Sequence, residues 1–175
     1  MLLRDVTPDD VDAYVRMRCD PVMMAGLGGP LPVDGMADKV RRDAARAAAG
    51  TAWIKMIVPD PRRPGSVAGS VTIWSHDTGT DPGTGPISEI GWMVLPGFQG
   101  QGLGRRAAGM VLAQARDVGR WGVVHAFPAT DNAPSNGICR SLGFRLLGER
   151  DVPFAGRVLR SNHWVINPRV DLPVD

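Results

Sequence analysis

The sequence predicts a mixed α/β fold: one sheet of about seven strands with four helices on its two faces. Three observations lead there. Strand-like and helix-like stretches follow one another in the order β-α-α-β-β-β-α-β-α-β-β, which a single sheet covered by helices satisfies. The run from Ile87 to Ala107 joins an apolar strand to a helix start through a turn in which Gly100, Gly102 and Gly104 alternate. The chain has 175 residues and only two cysteines, enough for one core without disulfides or metal. No repeat, linker or second composition is visible, so residues 1–175 read as a single domain.

In chain order, Leu2 to Val6 is a first strand, because Thr7-Pro8-Asp9-Asp10 reads as a helix start. Threonine suits the N-cap, proline the first helical position, and acids the first turn. That helix runs to about Cys19, and Pro21 breaks it. After the loop Ala25 to Pro32, a second helix extends from about Asp34 to Ala49, with Met36, Val40, Ala44 and Ala47 on one face. Ala52 to Val58 and Ser66 to Trp74 form a hairpin through the proline-stiffened turn Pro59 to Gly65. His76 to Pro86 is too polar to pack and long for a hairpin loop; it reads as a mobile loop or as a plain solvated insertion.

Ile87 to Leu95 is apolar enough for a strand buried on both faces, and Pro96-Gly97 ends it. The helix from Gly102 to Val118 carries Leu103, Ala107, Met110, Val111 and Val118 as its apolar residues. Val123 to Phe127 is a strand and Asn132 to Leu142 a short helix. Phe144 to Asp151 and Ser161 to Ile166 are the last strands, with Pro153 to Arg160 joining them.

The alternating glycines feed a helix amino terminus, which collects unpaired N–H groups at the positive end of the helix dipole, with Arg105 and Arg106 beside it. This suits a polyphosphate. A P-loop requires Lys-Ser or Lys-Thr after the last glycine, where Arg105-Arg106 stand. Gly102-Leu-Gly104-Arg-Arg-Ala107 fits the degenerate dinucleotide turn G-x-G-x-x-A, but Val123 to Phe127 ends without the ribose-binding acid. The spacing Gln99-x-x-Gly102-x-Gly104 resembles the pyrophosphate loop, Gln/Arg-x-x-Gly-x-Gly/Ala, of the GNAT superfamily of acyl-CoA-dependent N-acyltransferases; a plain glycine-rich turn is the remaining reading. Asn132-x-x-Ser135, opening a helix that closes on Leu142-Gly143-Phe144, resembles the second hallmark of that superfamily. The resemblance covers Ser70 to Phe144 well and the amino-terminal third in general pattern. Within the superfamily the chain is most similar to the Rim-type amino-terminal acetyltransferases, through Glu89-Ile-Gly-Trp92 and His163-Trp-Val-Ile166.

The resemblance implies a mostly antiparallel, twisted sheet, splayed between the Ile87 strand and the Val123 strand to admit CoA. It implies acetyl-CoA as co-substrate, its pyrophosphate on the amides of Gln99, Gly100, Gln101, Gly102, Leu103, Gly104 and Arg105. Backbone groups of Met93 and Val94 take the pantetheine, an N–H near Val94 polarises the thioester, and Asn132 and Ser135 bond the pantetheine, although Asn132 also fits a simple N-cap. The acceptor it implies is a primary amine, on a peptide amino terminus or a small molecule, attacked directly in a ternary complex. The first two helices and their loop form one wall of its site, with the loop after His76 near the entrance.

Such transfer needs a neutral amine and a proton for the leaving thiolate. Glu89 is the candidate base, since a carboxylate in an apolar strand must face a cleft or carry a raised pKa; its other reading is a solvent-facing or arginine-paired brace. His125 is the rival base or a satisfied core histidine. Where many members place a tyrosine, four residues before the glycine of Leu-Gly-Phe, this chain has Cys139, whose pKa resembles that of the leaving thiol but which is a poor donor when buried. Packing is its other role, and Ser135, Asn132 or a water are alternative acids. The one tyrosine, Tyr14, lies in the first helix.

A net charge of +2, with basic residues spread along the chain, predicts no nucleic-acid partner. Neither a membrane span nor a signal peptide is visible, which reads as cytoplasmic with reduced thiols. His76, His125 and His163 lack ligand spacing, so no metal is expected. Apolar residues between Pro153 and Arg160 predict a homodimer paired through that edge. A non-catalytic acyl-CoA-binding regulatory domain is the alternative to an enzyme.

Overall fold

The computed structural model describes residues 1–77, 85–154 and 156–172. Its strands are β1 (Leu2–Asp5), β2 (Ala52–Val58), β3 (Gly69–His76), β4 (Ile87–Val94), β5 (Val124–Ala126), β6 (Arg145–Phe154) and β7 (Arg157–Ile166). They form one sheet in the order β1-β2-β3-β4-β5-β7-β6, antiparallel everywhere except between β4 and β5. The helices are α1 (Val11–Arg18), α2 (Met36–Ala48), α3 (Leu103–Val118), α4 (Ala133–Ser141) and the short α5 (Pro168–Asp171). The expected mixed, mostly antiparallel sheet is present, with one more short helix than expected. The polar stretch after His76 falls largely on residues 78–84, outside the described residues.

Alternation along the strands divides the core between the two faces. Val71 and Ile73 of β3 and Ile57 of β2 pack with Leu103, Ala107, Val111 and Leu112 of α3. On the other face Ala52, Ile54 and Met56 of β2 pack with Tyr14 and Met17 of α1 and Met36 and Val40 of α2. In α3 the buried stripe is Leu103, Gly104, Ala107, Ala108, Val111, Leu112 and Ala115, so Met110 (46% exposed) and Val118 (59%) lie off it. In α2 the sequence reading missed Asp43, which is buried because it accepts the Tyr14 hydroxyl at 3.0 Å and the Lys39 ammonium at 2.9 Å.

Three expectations change. β4 is not buried on both faces: only Ser88 and Ile90 are, and the face carrying Glu89, Gly91 and Met93 is half covered. The first helix starts as a 3-10 turn over Pro8–Asp10, tied back to β1 by the Arg4–Asp10 ion pair at 2.6 Å. Residues 153–160 do not form a separate connection. Pro153 and Phe154 continue β6 and residues 157–160 belong to β7, in a long hairpin paired out to Phe154↔Arg157. Pro153 is accommodated because β6 is the outermost strand, where a missing N–H costs no ladder bond. An extra residue at Leu147 bulges β6, with Gly148 at φ +136° opposite His163.

Candidate functional site

β4 and β5 pair at two positions only, Ser88↔Val124 and Glu89↔His125, whereas β4 follows β3 as far as Val94. Past Glu89 the sheet therefore opens into a wedge. The Leu95 N–H donates to the Ala68 carbonyl at 2.8 Å, and alternation in an antiparallel ladder then turns the backbone of Gly91 and Met93 to β3 and that of Trp92 and Val94 into the wedge. Of the two residues expected to offer backbone groups, Val94 is turned into the wedge and Met93 to β3; Trp92, not singled out for this in the sequence, also faces the wedge. The Val94 carbonyl accepts the Gln99 carboxamide at 2.9 Å.

At the wide end of the wedge, a 3-10 turn over Pro96–Phe98 leads to α3. Gly100 (φ +72°) and Gly102 (φ +71°) adopt left-handed conformations that only glycine enters readily. The Gln99 N–H returns to the Pro96 carbonyl at 3.2 Å and the Arg106 N–H to Gly102 at 3.0 Å. Between them the N–H groups of Gly100, Gln101, Gly102, Leu103, Gly104 and Arg105 have no partner among the described residues. Such a run of unpaired amides at the amino end of a sixteen-residue helix has the geometry to hold phosphate oxygens. Gln99 is thus outside the amide cradle and acts on β4 instead. Gly104 has a different reason to be glycine: a Cβ there would come 3.1 Å from Ile138 Cδ1 and 3.3 Å from Val94 Cγ2, whereas at Gly102 it would meet nothing within 4 Å.

α4 closes the wedge from the other side. Asn132 Oδ1 accepts the Ser135 N–H at 3.0 Å, the N-cap role that is its other reading beside pantetheine binding. The Ser135 hydroxyl accepts the Trp92 indole N–H at 3.3 Å, which brings it against β4. Asn136, overlooked in the sequence, is 1% exposed and fully satisfied. Its amide donates to the Ala129 and Asn132 carbonyls, both at 2.9 Å, and its carbonyl accepts from Asn162 at 2.8 Å and Trp164 at 2.9 Å. It locks α4 onto β7. Cys139 has no exposed surface, and burial pushes its thiol up to about 12, which suits packing rather than proton donation. The Tyr14 hydroxyl is likewise committed, to Asp43, and burial raises its pKa.

The half-covered face of the sheet gathers all three histidines of the chain. Register sets Trp74 beside Glu89 and Glu89 beside His125 on three adjacent strands. His76 Nε2 lies 2.8 Å from Glu89 Oε2, and His125 Nδ1 lies 2.8 Å from His163 Nε2. Phe127 stacks on His163 with centroids 4.7 Å apart, and Arg150 lies over Phe127 at 5.7 Å. Burial raises the Glu89 pKa, an effect that His76 opposes. Burial, Arg150 and His76 lower that of His125. His163 is pushed down to about 4 by burial, by His125 and by Arg150. These shifts run in opposite directions: burial favours the protonated form of Glu89 and the neutral form of the imidazole pair. Among the described residues, no three His, Cys, Asp or Glu side chains converge as metal ligands.

Residues 1–145 match the family model described as an acetyltransferase (GNAT) domain. Solved structures of similar fold include RimL, a ribosomal L7/L12 alpha-N-protein acetyltransferase in complex with coenzyme A (TM-score 0.76, 16% identity, 97% of this chain and 94% of that one). YncA from Salmonella typhimurium, a putative acetyltransferase with its cofactor acetyl-CoA, matches at TM-score 0.73 and 22% identity over 100% and 98% of the two chains. The ribosomal-protein-alanine N-acetyltransferase of Brucella melitensis matches at TM-score 0.73 and 20% identity over 95% and 99%. A wedge between two parallel strands, a free-amide loop at its mouth and a capped helix across it occur together in a chain matched over most of its length. This protein belongs to the GNAT acetyltransferase family, whose members draw their acetyl group from acetyl-CoA.

Proposed function

We propose that the protein is an N-acetyltransferase that moves an acetyl group from acetyl-CoA to a primary amine in a ternary complex, with Glu89 as the base. One observation carries this reading. Along the wedge stand the free amides of Gly100 to Arg105, then the backbone of Val94 and Trp92, then the Glu89 carboxylate. That is the order of pyrophosphate, pantetheine and thioester in acetyl-CoA, which supplies the activated acyl group. Arg105 adds charge at the phosphates, and the N–H of Trp92, the wedge-facing group between Val94 and Glu89, polarises the thioester carbonyl. Glu89 takes the amine proton. The Ser135 hydroxyl, which accepts from Trp92, keeps its own proton to give to the departing thiolate; Cys139 has no such access. His125 has one ring nitrogen bound to His163 and a lowered pKa, both of which weaken it as a rival base.

For the acceptor, we favour a peptide amino terminus over a small amine. A cavity of about 400 Å³ lies between Ala25, Gly26 and Gly28 of the loop joining the first two helices, Ala129 to Asp131 after β5, and Arg157 to Arg160 of β7. Its lining supports that loop as an acceptor wall, and the RimL likeness favours a protein substrate. A panel of peptides and small amines, read by thiol release from acetyl-CoA, tests the reading. Amine-dependent thiol is expected; acetyl-CoA affinity with no turnover on any amine would reduce the protein to a binding module.

No helix among the described residues is long and apolar enough to cross a membrane, in keeping with the cytoplasmic location we propose. We also propose a homodimer through the edge that runs from Pro153 to Arg160, where Val158 is 66% exposed. Sedimentation as a monomer at tens of micromolar would end that idea.

A further inference from the structure

We propose that His76 is a positioning residue for the transfer: its Nε2 anchors one oxygen of Glu89 and so aims the other at the amine. The inference rests on Glu89 being the base, and its test is built to fail separately. His76 Nε2 lies 2.8 Å from Glu89 Oε2, and among the described residues Oε1 has no partner. A carboxylate held by one oxygen in a half-buried site has a single acceptor left for the incoming proton, which removes the wasted orientations that a free carboxylate samples. The anchor is itself held. Trp74 stacks on the His76 ring, centroids 5.9 Å apart and planes 23° apart, and His76 Nδ1 faces the Asp77 carbonyl at 3.3 Å.

His76 acts on Glu89 in electrostatics as well as direction: its hydrogen bond first, and its charge second, lower the Glu89 pKa, in opposition to the burial that favours the protonated acid. The other groups facing Glu89 do not duplicate it. His125 on β5 and His163 on β7 stay neutral near pH 7, Arg150 lies over Phe127, and Asp77, beside His76 in sequence, adds negative charge. A spectator histidine on the sheet would show the same distance but leave the proton affinity of Glu89 and the kinetics unmoved.

The chain contains only two glutamates, Glu89 and Glu149, so a carbon-13 label on the glutamate carboxyl gives two titrating signals, assigned with Glu89→Gln. His76→Ala should move the Glu89 signal, and the acid limb of turnover with it, to higher pH. It should lower kcat at neutral pH by about tenfold while the KM for acetyl-CoA stays within about twofold. His76→Gln, whose amide can still donate to Oε2 without bringing charge, should recover much of the kcat lost in His76→Ala and return the acid limb most but not all of the way, because the hydrogen bond is the larger of the two effects that His76 has on Glu89. A Glu89 signal that titrates identically in wild type and His76→Ala overturns the proposal. Full turnover in Glu89→Gln, with the carboxyl signal still displaced in His76→Ala, overturns the base and with it the catalytic role of His76, leaving only their electrostatic contact.

Discussion

The two ends of the wedge are made of different material. At the mouth, the grip is main chain: six consecutive N–H groups from Gly100 to Arg105 and the backbone of Val94 and Trp92. At the narrow end the working groups are side chains, contributed by β3, β4, β5 and β7, and their mutual distances depend on the register of four strands. Main-chain donors keep their charge distribution at any ordinary pH and depend on local conformation alone. The side-chain set has proton affinities set by burial and by one another. Substitutions at the mouth should therefore act on affinity or stability with little pH dependence, and substitutions at the narrow end on rate, with strong pH dependence.

The largest expected effect is at Glu89. Glu89→Gln should keep acetyl-CoA affinity and lose roughly 10²–10⁴-fold in turnover at neutral pH. Because the carboxyl must be ionised to work and burial raises its pKa, wild-type rate should rise with pH through that raised value. The deficit of the mutant should narrow at high pH, where the amine sheds its proton unaided. A mutant equally slow at every pH, and less stable, would make Glu89 a brace instead.

Next come the two glycines, which the sequence treats alike and the structure separates. Gly102→Val should weaken CoA binding at least tenfold, about 1.4 kcal/mol, because a β-branched residue resists the φ of +71° that turns the amides inward. Gly104→Val should instead lower stability by about 1–3 kcal/mol, since its side chain meets Ile138 and Val94. Calorimetric titration and thermal melting of both variants check the division; equal affinity losses with unchanged melting would restore the simpler view that both clear space for phosphate.

The smallest effect concerns His163. Its pKa falls from an ordinary 6.5 to about 4 in the folded chain, so the unfolded chain binds the proton more readily. The stabilisation from keeping this ring neutral is complete above pH 6.5 and is lost as pH falls towards about 4. Denaturant midpoints measured across that window should decline, and His163→Gln should flatten the decline. A slope unaffected by the substitution would assign acid sensitivity to other groups.

The same division explains what the sequence made legible. The loop, the α3 start and the Asn132 cap were readable because turn glycines, caps and helix starts are decided within a few residues. Glu89 stood out because an acid in an apolar strand needs an explanation. Nothing local announced that His76 would meet Glu89 or that His125 would meet His163, 38 positions away; strand register decides both, and a shift of one residue would send each side chain to the opposite face. Asn136 was hidden for the same reason, its partners coming from β7 and the preceding loop. The extension of the last hairpin through Pro153 depends on β6 being an outer strand, and which residues of β4 turn their backbone into the wedge depends on the β3 ladder; neither is decided locally.

The parting of β4 and β5 leaves, in the middle of the sheet, a stretch of backbone that could be invaded by an extended segment of another chain. The Gln99 carboxamide on the Val94 carbonyl occupies the acceptor that such an invader would need first. Any amide that takes its place exchanges one hydrogen bond for another, close to neutral in free energy, so the open backbone is covered at its outer end without being sealed.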